Sequence, residues 1–193
     1  MKHVYLIAVL AVGLLIGCSN QRHYSEQLTR AHECLQEGEV DRAERHLTRA
    51  DEIAADHTTT VKPSVDATLL QAEIRLTQRR LTESQELASS VTVRVDVDYP
   101  TIARAEEILG KIALHEGRFT EAQQHFLTAD RNYDDDLDRE RISNLMKLTR
   151  GLAAYSDGDI EVARRYWQSI PDAELRYSVS ENLSDVQLAG VSE

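Results

Sequence analysis

Three sets of side chains in this sequence have types and spacings that suggest chemistry. The first is an alternating run, Asp130, Asn132, Asp134, Asp136 and Asp138, with an oxygen-bearing side chain at every second place. A calcium loop of the EF-hand kind also needs glycine at its sixth position and a bidentate glutamate at its twelfth. Here those places hold Asp135 and Arg141. The run therefore reads as a solvated acidic loop whose Asp138 can cap a helix starting there, with a weak calcium site of another kind left open. The second set is histidine. His46 and His125 fall at the same place in two similar segments, as parts of a repeat do, and His32 and His115 have no second ligand at metal-type spacing. The third is the pair of cysteines. Cys18 closes an apolar run, whereas Cys34 lies at an inward helical position, where a free thiol behaves as a small hydrophobe. No His-Glu-x2-His helix, phosphate-cradling glycine loop or Gly-x-Ser-x-Gly elbow occurs. The expectation is no catalytic residue, no metal and no cofactor.

The elements that position these residues repeat. Glu37-Gly38-Glu39-Val40 leads to Ala43, Glu116-Gly117-Arg118-Phe119 to Ala122, and Asp157-Gly158-Asp159-Ile160 to Ala163. Four residues after each alanine comes a bulky apolar residue, Leu47, Phe126 or Trp167, and three further on Ala50, Ala129 or Ile170. Before the glycines, apolar residues run at helical spacing: Tyr24, Leu28, Ala31 and Leu35 in the first unit, and Leu145, Leu148, Leu152 and Tyr155 in the last. Val65, Leu69, Ala72 and Leu76 repeat the spacing in a unit without the glycine. The glycine tolerates the left-handed conformation that ends one helix, and the alanine lets the next helix approach closely.

This pattern resembles the tetratricopeptide repeat family, with a small residue in the first helix, a turn, then Ala-x3-Phe-x2-Ala in the second. Gly110, Ala113, Gly117, Ala122, Phe126 and Ala129 fit best. Ala31, Cys34, Gly38, Ala43, Leu47 and Ala50 match in the first unit, and Gly151, Ala154, Gly158, Ala163, Trp167 and Ile170 in the fourth. The second is degenerate, with Ala72, Arg75, Arg79, Ser84, Ala88 and Val91, so that arginine stands where glycine is expected. Ala31, Ala72, Gly110 and Gly151 are separated by 41, 38 and 41 residues, against about 34 in the family and about 40–47 in armadillo or HEAT arrays. The resemblance implies an all-α fold: a right-handed α-α superhelix of about four helix hairpins over residues 22–193, closed by a C-terminal capping helix at 172–188. It also implies a concave face lined by fixed positions of each first helix. Carried over, the partner-binding candidates are His32, Leu35, Asp66, Glu73, Arg104, Glu107, Lys111, Leu148, Leu152 and Tyr155. The apolar stripe of the fourth unit lies either under the terminal helix or in an open groove.

Helices are predicted at 22–36, 40–55, 63–78, 81–91, 100–116, 119–132, 138–156 and 160–169, with Pro63 in the first turn of its helix. Val91, Val93, Val95, Val97 and Tyr99 alternate with polar residues, which is a strand signal. With nothing to pair with, the segment reads as an extended connector that packs its valines on the helices. The alternative is an edge that pairs with a partner strand.

At the N-terminus, Val4 to Ile16 is apolar and too short for a bilayer, which takes about 20 residues. It has the length of a signal-peptide core. Leu15-Ile16-Gly17-Cys18 resembles the lipobox of bacterial lipoproteins. The resemblance implies a signal peptide at 1–17, a lipidated Cys18, and a tether at 18–21. Ser19 rather than aspartate after the cysteine favours, by that family's sorting rule, an outer-membrane protein facing the periplasm. An ordinary secretory signal or an uncleaved anchor is the alternative. The chain has 22 basic and 33 acidic residues, a balance that argues against nucleic acid and anionic lipid as partners. The function expected is a lipid-anchored envelope adaptor or scaffold for protein partners. Its alternative is an acidic, chaperone-like holder of secreted or basic polypeptides.

Overall fold

The computed structural model describes residues 2–56 and 61–171, with side chains from Ser19 onward. The described residues form eight helices and no strand: α1 (Lys2–Gln36), α2 (Val40–Ala55), α3 (Val65–Thr77), α4 (Leu81–Thr92), α5 (Tyr99–His115), α6 (Phe119–Asn132), α7 (Asp136–Ser156) and α8 (Ile160–Gln168). The fold is all-α. The predicted capping helix at 172–188 lies outside the described residues. No helix among those described is long and apolar enough to cross a membrane. Residues 18–21, expected as a tether, continue α1 without a break, and no proline interrupts the helix there.

Three helix-to-helix turns are built alike, and their cause is local. After α1, Gly38 takes φ 77°, its N–H donates to Leu35 O at 3.1 Å, and Glu39 N–H reaches back to Cys34 O at 2.8 Å. Gly117 and Gly158 do the same after α5 and α7, with φ 71° and 84°. This pair of bonds satisfies carbonyls that the ending helix leaves open. At the fourth turn Arg79 adopts φ 61°, the left-handed geometry without a glycine to relieve it. Such a conformation costs an L-residue on the order of 1 kcal/mol. Arg79→Gly is therefore expected to raise stability by up to about 1 kcal/mol in urea unfolding, and a destabilised variant would show that the Arg79–His115 hydrogen bond at 2.7 Å outweighs the relief.

The chain divides into two compact units, Met1–Gln78 and Arg79–Glu193. In the first, α1 and α2 form a hairpin on which α3 packs. Tyr24, Ala31, Cys34, Ala43, Leu47 and Ala50 make the hairpin's core, joined by Leu70 and Ile74 of α3. Cys34 is buried there as a packing residue. Tyr24 Oη donates to Ser64 Oγ at 3.2 Å and accepts from Ser64 N–H at 2.8 Å, while the same Oγ caps α3 at Ala67 N–H. Ser64 is the cap, so Pro63 stands before the helix rather than in its first turn. At the other end of α3, Arg75 and Gln78 both grip Glu44 of α2, at 2.6 and 2.9 Å.

The second unit contains the hairpins α5–α6 and α7–α8, with α4 packed on α5 and α6 on α7. Its core gathers Leu114, Phe126, Ile142, Leu148, Leu152 and Trp167 around small residues. Gly110 and Gly151 sit inside helices, where glycine normally weakens them by about 1 kcal/mol relative to alanine. Their reason is space. A Cβ at Gly110 would fall 2.5 Å from Phe126 Cε1, and one at Gly151 would fall 2.6 Å from Trp167 Cδ1. In the first hairpin Ala31 holds this place and the smaller Leu47 faces it within the same core, so residue size is exchanged between partners from one hairpin to another.

The connector between α4 and α5 departs from expectation. Val93, Val95 and Tyr99 are 79%, 102% and 71% exposed, so these three do not pack on the helices, whereas Val91 is buried and Val97 partly so. Val91 and Thr92 extend α4, Arg94 pairs with Asp96 at 2.8 Å, and Asp98 caps α5 through Thr101 N–H. Helix ends fix both termini of this short link, and it has no sheet against which an alternating pattern can bury one face.

Candidate protein-binding surface

The residues carried over as a concave lining do not form one surface. Their fifth helical position is inward: Leu28 is partly buried, Leu69 and Leu148 are fully buried, and Glu107 is 4% exposed. Leu152 is buried with Leu148 in the second unit's core, which removes both as lining of an open groove. Tyr155 is half in and half out, its ring 5.9 Å from that of Trp167. Leu35 rests against the first core. His32 and Asp66 are exposed, while Glu73, Arg104 and Lys111 are partly covered. His32 shares a 2.9 Å hydrogen bond with Gln36.

Glu107 is not available to a partner, because the fold consumes its charge. Lys111 Nζ lies 3.1 Å from Glu107 Oε1, Tyr133 Oη donates to Oε2 at 2.8 Å, and the Arg141 guanidinium closes on Oε1. Burial alone would raise the carboxyl pKa, but the two cations and these hydrogen bonds hold it down at about 2. Arg141 also binds Asp138 Oδ1 at 2.7 Å and stands over the Tyr133 ring at 5.8 Å. Glu107 thus leaves the partner-binding set and becomes the buried centre of an ion cluster that the partly covered Lys111 joins.

Part of the acidic run is likewise spent on local structure. Asp135, not Asp138, caps α7 by accepting from Leu137 and Asp138 N–H, so the helix starts two residues earlier than predicted. Asp130 faces Arg139 at 3.6 Å, and Asn132 Nδ2 donates to Thr128 O. No metal-holding group of His, Cys, Asp or Glu occurs among the described residues.

The two repeat histidines bridge their hairpins in the same way. His46 Nδ1 meets Gln27 Oε1 at 2.8 Å and His125 Nδ1 meets Glu106 Oε2 at 2.7 Å, each across a sequence separation of 19. Around His46 lies a feature that the inward-facing pattern did not single out. Arg42, Arg45 and Arg49 are exposed along α2, and Arg30 is exposed one turn beyond Gln27 on α1. Their spacing of three and four along α2 is visible in the sequence; their meeting with Arg30 follows from the hairpin.

A scan against protein-family models, a search of curated proteins and a search of solved structures each find no match to the chain.

Proposed function

We propose that this protein is a lipid-anchored adaptor of a bacterial cell envelope, a tetratricopeptide-like array of helix hairpins that holds protein partners near a membrane. The observation that carries it is the recurrence of one hairpin plan, with left-handed turns at Gly38, Arg79, Gly117 and Gly158 after a lipobox-like Leu15–Cys18. Arrays of this kind expose a large surface relative to their core and use it for binding. On the anchor reading, the continuity of α1 has a specific consequence. Tyr24, six residues after Cys18 on the same helix, lies about 9 Å further along the axis, so acyl chains on Cys18 would hold the first hairpin close to the bilayer. Such a tether raises the local concentration of the domain near membrane partners, and Ser19 favours the outer membrane facing the periplasm.

Two experiments test this. Cys18→Ser should leave an unprocessed, unlipidated precursor in a metabolic palmitate-labelling assay; normal maturation of that variant would remove the anchor. In-cell crosslinking of the full-length protein, followed by affinity capture, should yield one stoichiometric envelope partner. Many substoichiometric clients would instead favour a chaperone-like holder. Surface variants for this assay belong at His32, Asp66 or Tyr155, since charges at the buried Leu148 would unfold the domain.

A further inference from the structure

We propose that the arginine face of the first hairpin, Arg30, Arg42, Arg45 and Arg49, is the docking surface for an acidic polypeptide segment of the partner. The inference rests on the adaptor reading and supplies the partner's chemistry. Arg42, Arg45 and Arg49 follow one another at helical spacing on α2, and the His46–Gln27 hydrogen bond fixes α1 beside them so that Arg30 joins the same face. The charges of all four arginines act on one imidazole. His46 is held below its ordinary pKa first by burial and then by the charges of Arg49, Arg30, Arg42 and Arg45.

Three of the four arginines keep no carboxylate partner among the described residues. Glu39 is taken by Arg42, and Glu44 is turned toward Arg75 and Gln78 of α3. Asp41, Glu44 and Glu52 line a shallow depression of about 470 Å³ together with Arg45, Thr48 and Arg49. Among the described residues, Arg30, Arg45 and Arg49 make no ion pair within 4.0 Å, although acids outnumber bases 33 to 22 in the chain. Like charges one helical turn apart repel, and an anion laid along them relieves that repulsion. Successive turns are about 5.4 Å apart, a spacing that carboxylates at i and i+3 or i+4 of a partner helix reproduce.

The occupant is a narrow chain rather than a broad anionic sheet. A membrane of anionic lipid meets the whole acidic domain and is repelled by it. An acidic segment meets only what lies within a Debye length, roughly 8 Å at physiological salt.

The test uses the full-length protein in detergent micelles and a fluorescein-labelled oligoglutamate peptide, with oligolysine as the control. The expected result is an anisotropy rise with oligoglutamate that weakens as salt is added. Arg30→Gln/Arg45→Gln/Arg49→Gln should bind roughly tenfold or more weakly, the corresponding lysine variant should keep most of the binding, and Arg164→Gln/Arg165→Gln on α8 should change nothing. Circular dichroism melts establish that each variant is folded. Wild-type-like binding by the glutamine triple overturns the proposal, as does the absence of oligoglutamate binding at low salt. So does arginine-dependent partition onto phosphatidylglycerol vesicles without peptide binding. A cellular partner captured equally well by the glutamine triple sinks this inference and leaves the adaptor standing; the absence of any stoichiometric partner in cells sinks the adaptor itself.

Discussion

Glu107→Leu should destabilise the protein by about 3–5 kcal/mol, although leucine is what the same repeat position holds at residues 28, 69 and 148. The substitution removes the acceptor for Tyr133 Oη and the counter-charge for Arg141 and Lys111. Breaking a buried pair from one side leaves a desolvated charge, whereas replacing the group as a whole with apolar residues is often neutral. Glu107→Leu/Tyr133→Phe/Arg141→Met should therefore recover most of the loss, since Lys111 can carry its ammonium out to solvent on a flexible stem. Urea titration followed by circular dichroism decides this: a single variant as stable as the parent, or a triple no better than the single, would refute the cluster's role.

The same carboxyl predicts an acid limb. Glu107 titrates near 2 in the folded protein and near 4.3 in an unfolded chain. Its folded pKa is depressed, so its contribution is complete above about pH 4.3 and is lost as pH falls toward 2. At 1.36 kcal/mol per pKa unit the amount is roughly 3 kcal/mol. Glu107→Gln should show a correspondingly shallower loss of stability over that window. Parallel profiles for the two proteins would place the acid sensitivity elsewhere.

The second large effect concerns the helix glycines. Gly151→Ala should cost about 1–3 kcal/mol even though alanine favours the helix by about 1 kcal/mol. The added methyl meets the stiff, buried indole of Trp167, which cannot rotate away within a filled core. Trp167→Leu alone should also destabilise, by leaving a cavity. The double variant Gly151→Ala/Trp167→Leu recreates the Ala31 and Leu47 pair of the first hairpin, and it should be more stable than the sum of the singles predicts by about 1 kcal/mol or more. It also removes Trp167 Nε1, a buried donor that has no partner among the described residues. Strict additivity in chemical denaturation would rule out a direct size exchange at this contact.

These outcomes separate what local sequence settles from what assembly of the chain settles. Residue types and spacing alone placed seven of the eight described helices to within about two residues, because capping, helical periodicity and the left-handed glycine are interactions among near neighbours. The eighth, α1, begins at Lys2 rather than residue 22. Even the turn at Arg79 was legible, since the three glycine turns defined a repeat that predicted its place. The size of Phe126 and Trp167 was visible too, although its match to Gly110 and Gly151 became a reason for those glycines only when the helices packed.

The lining of a binding surface was not legible. A helical stripe states which residues share a face, not what covers that face, so Leu148, Leu152 and Glu107 read as candidates until their neighbours buried them. Arg141 and Tyr133 reach Glu107 across 34 and 26 residues, a distance at which no local rule correlates an acid with its base. The alternating valines met no sheet, and the arginines of α2 became a patch only when the hairpin set Arg30 beside them. Local chemistry by itself determined where the helices begin, end and turn. Which charges are spent inside the fold and which face outward was decided by tertiary packing, because desolvation and Coulomb energy depend on neighbours in space rather than in sequence.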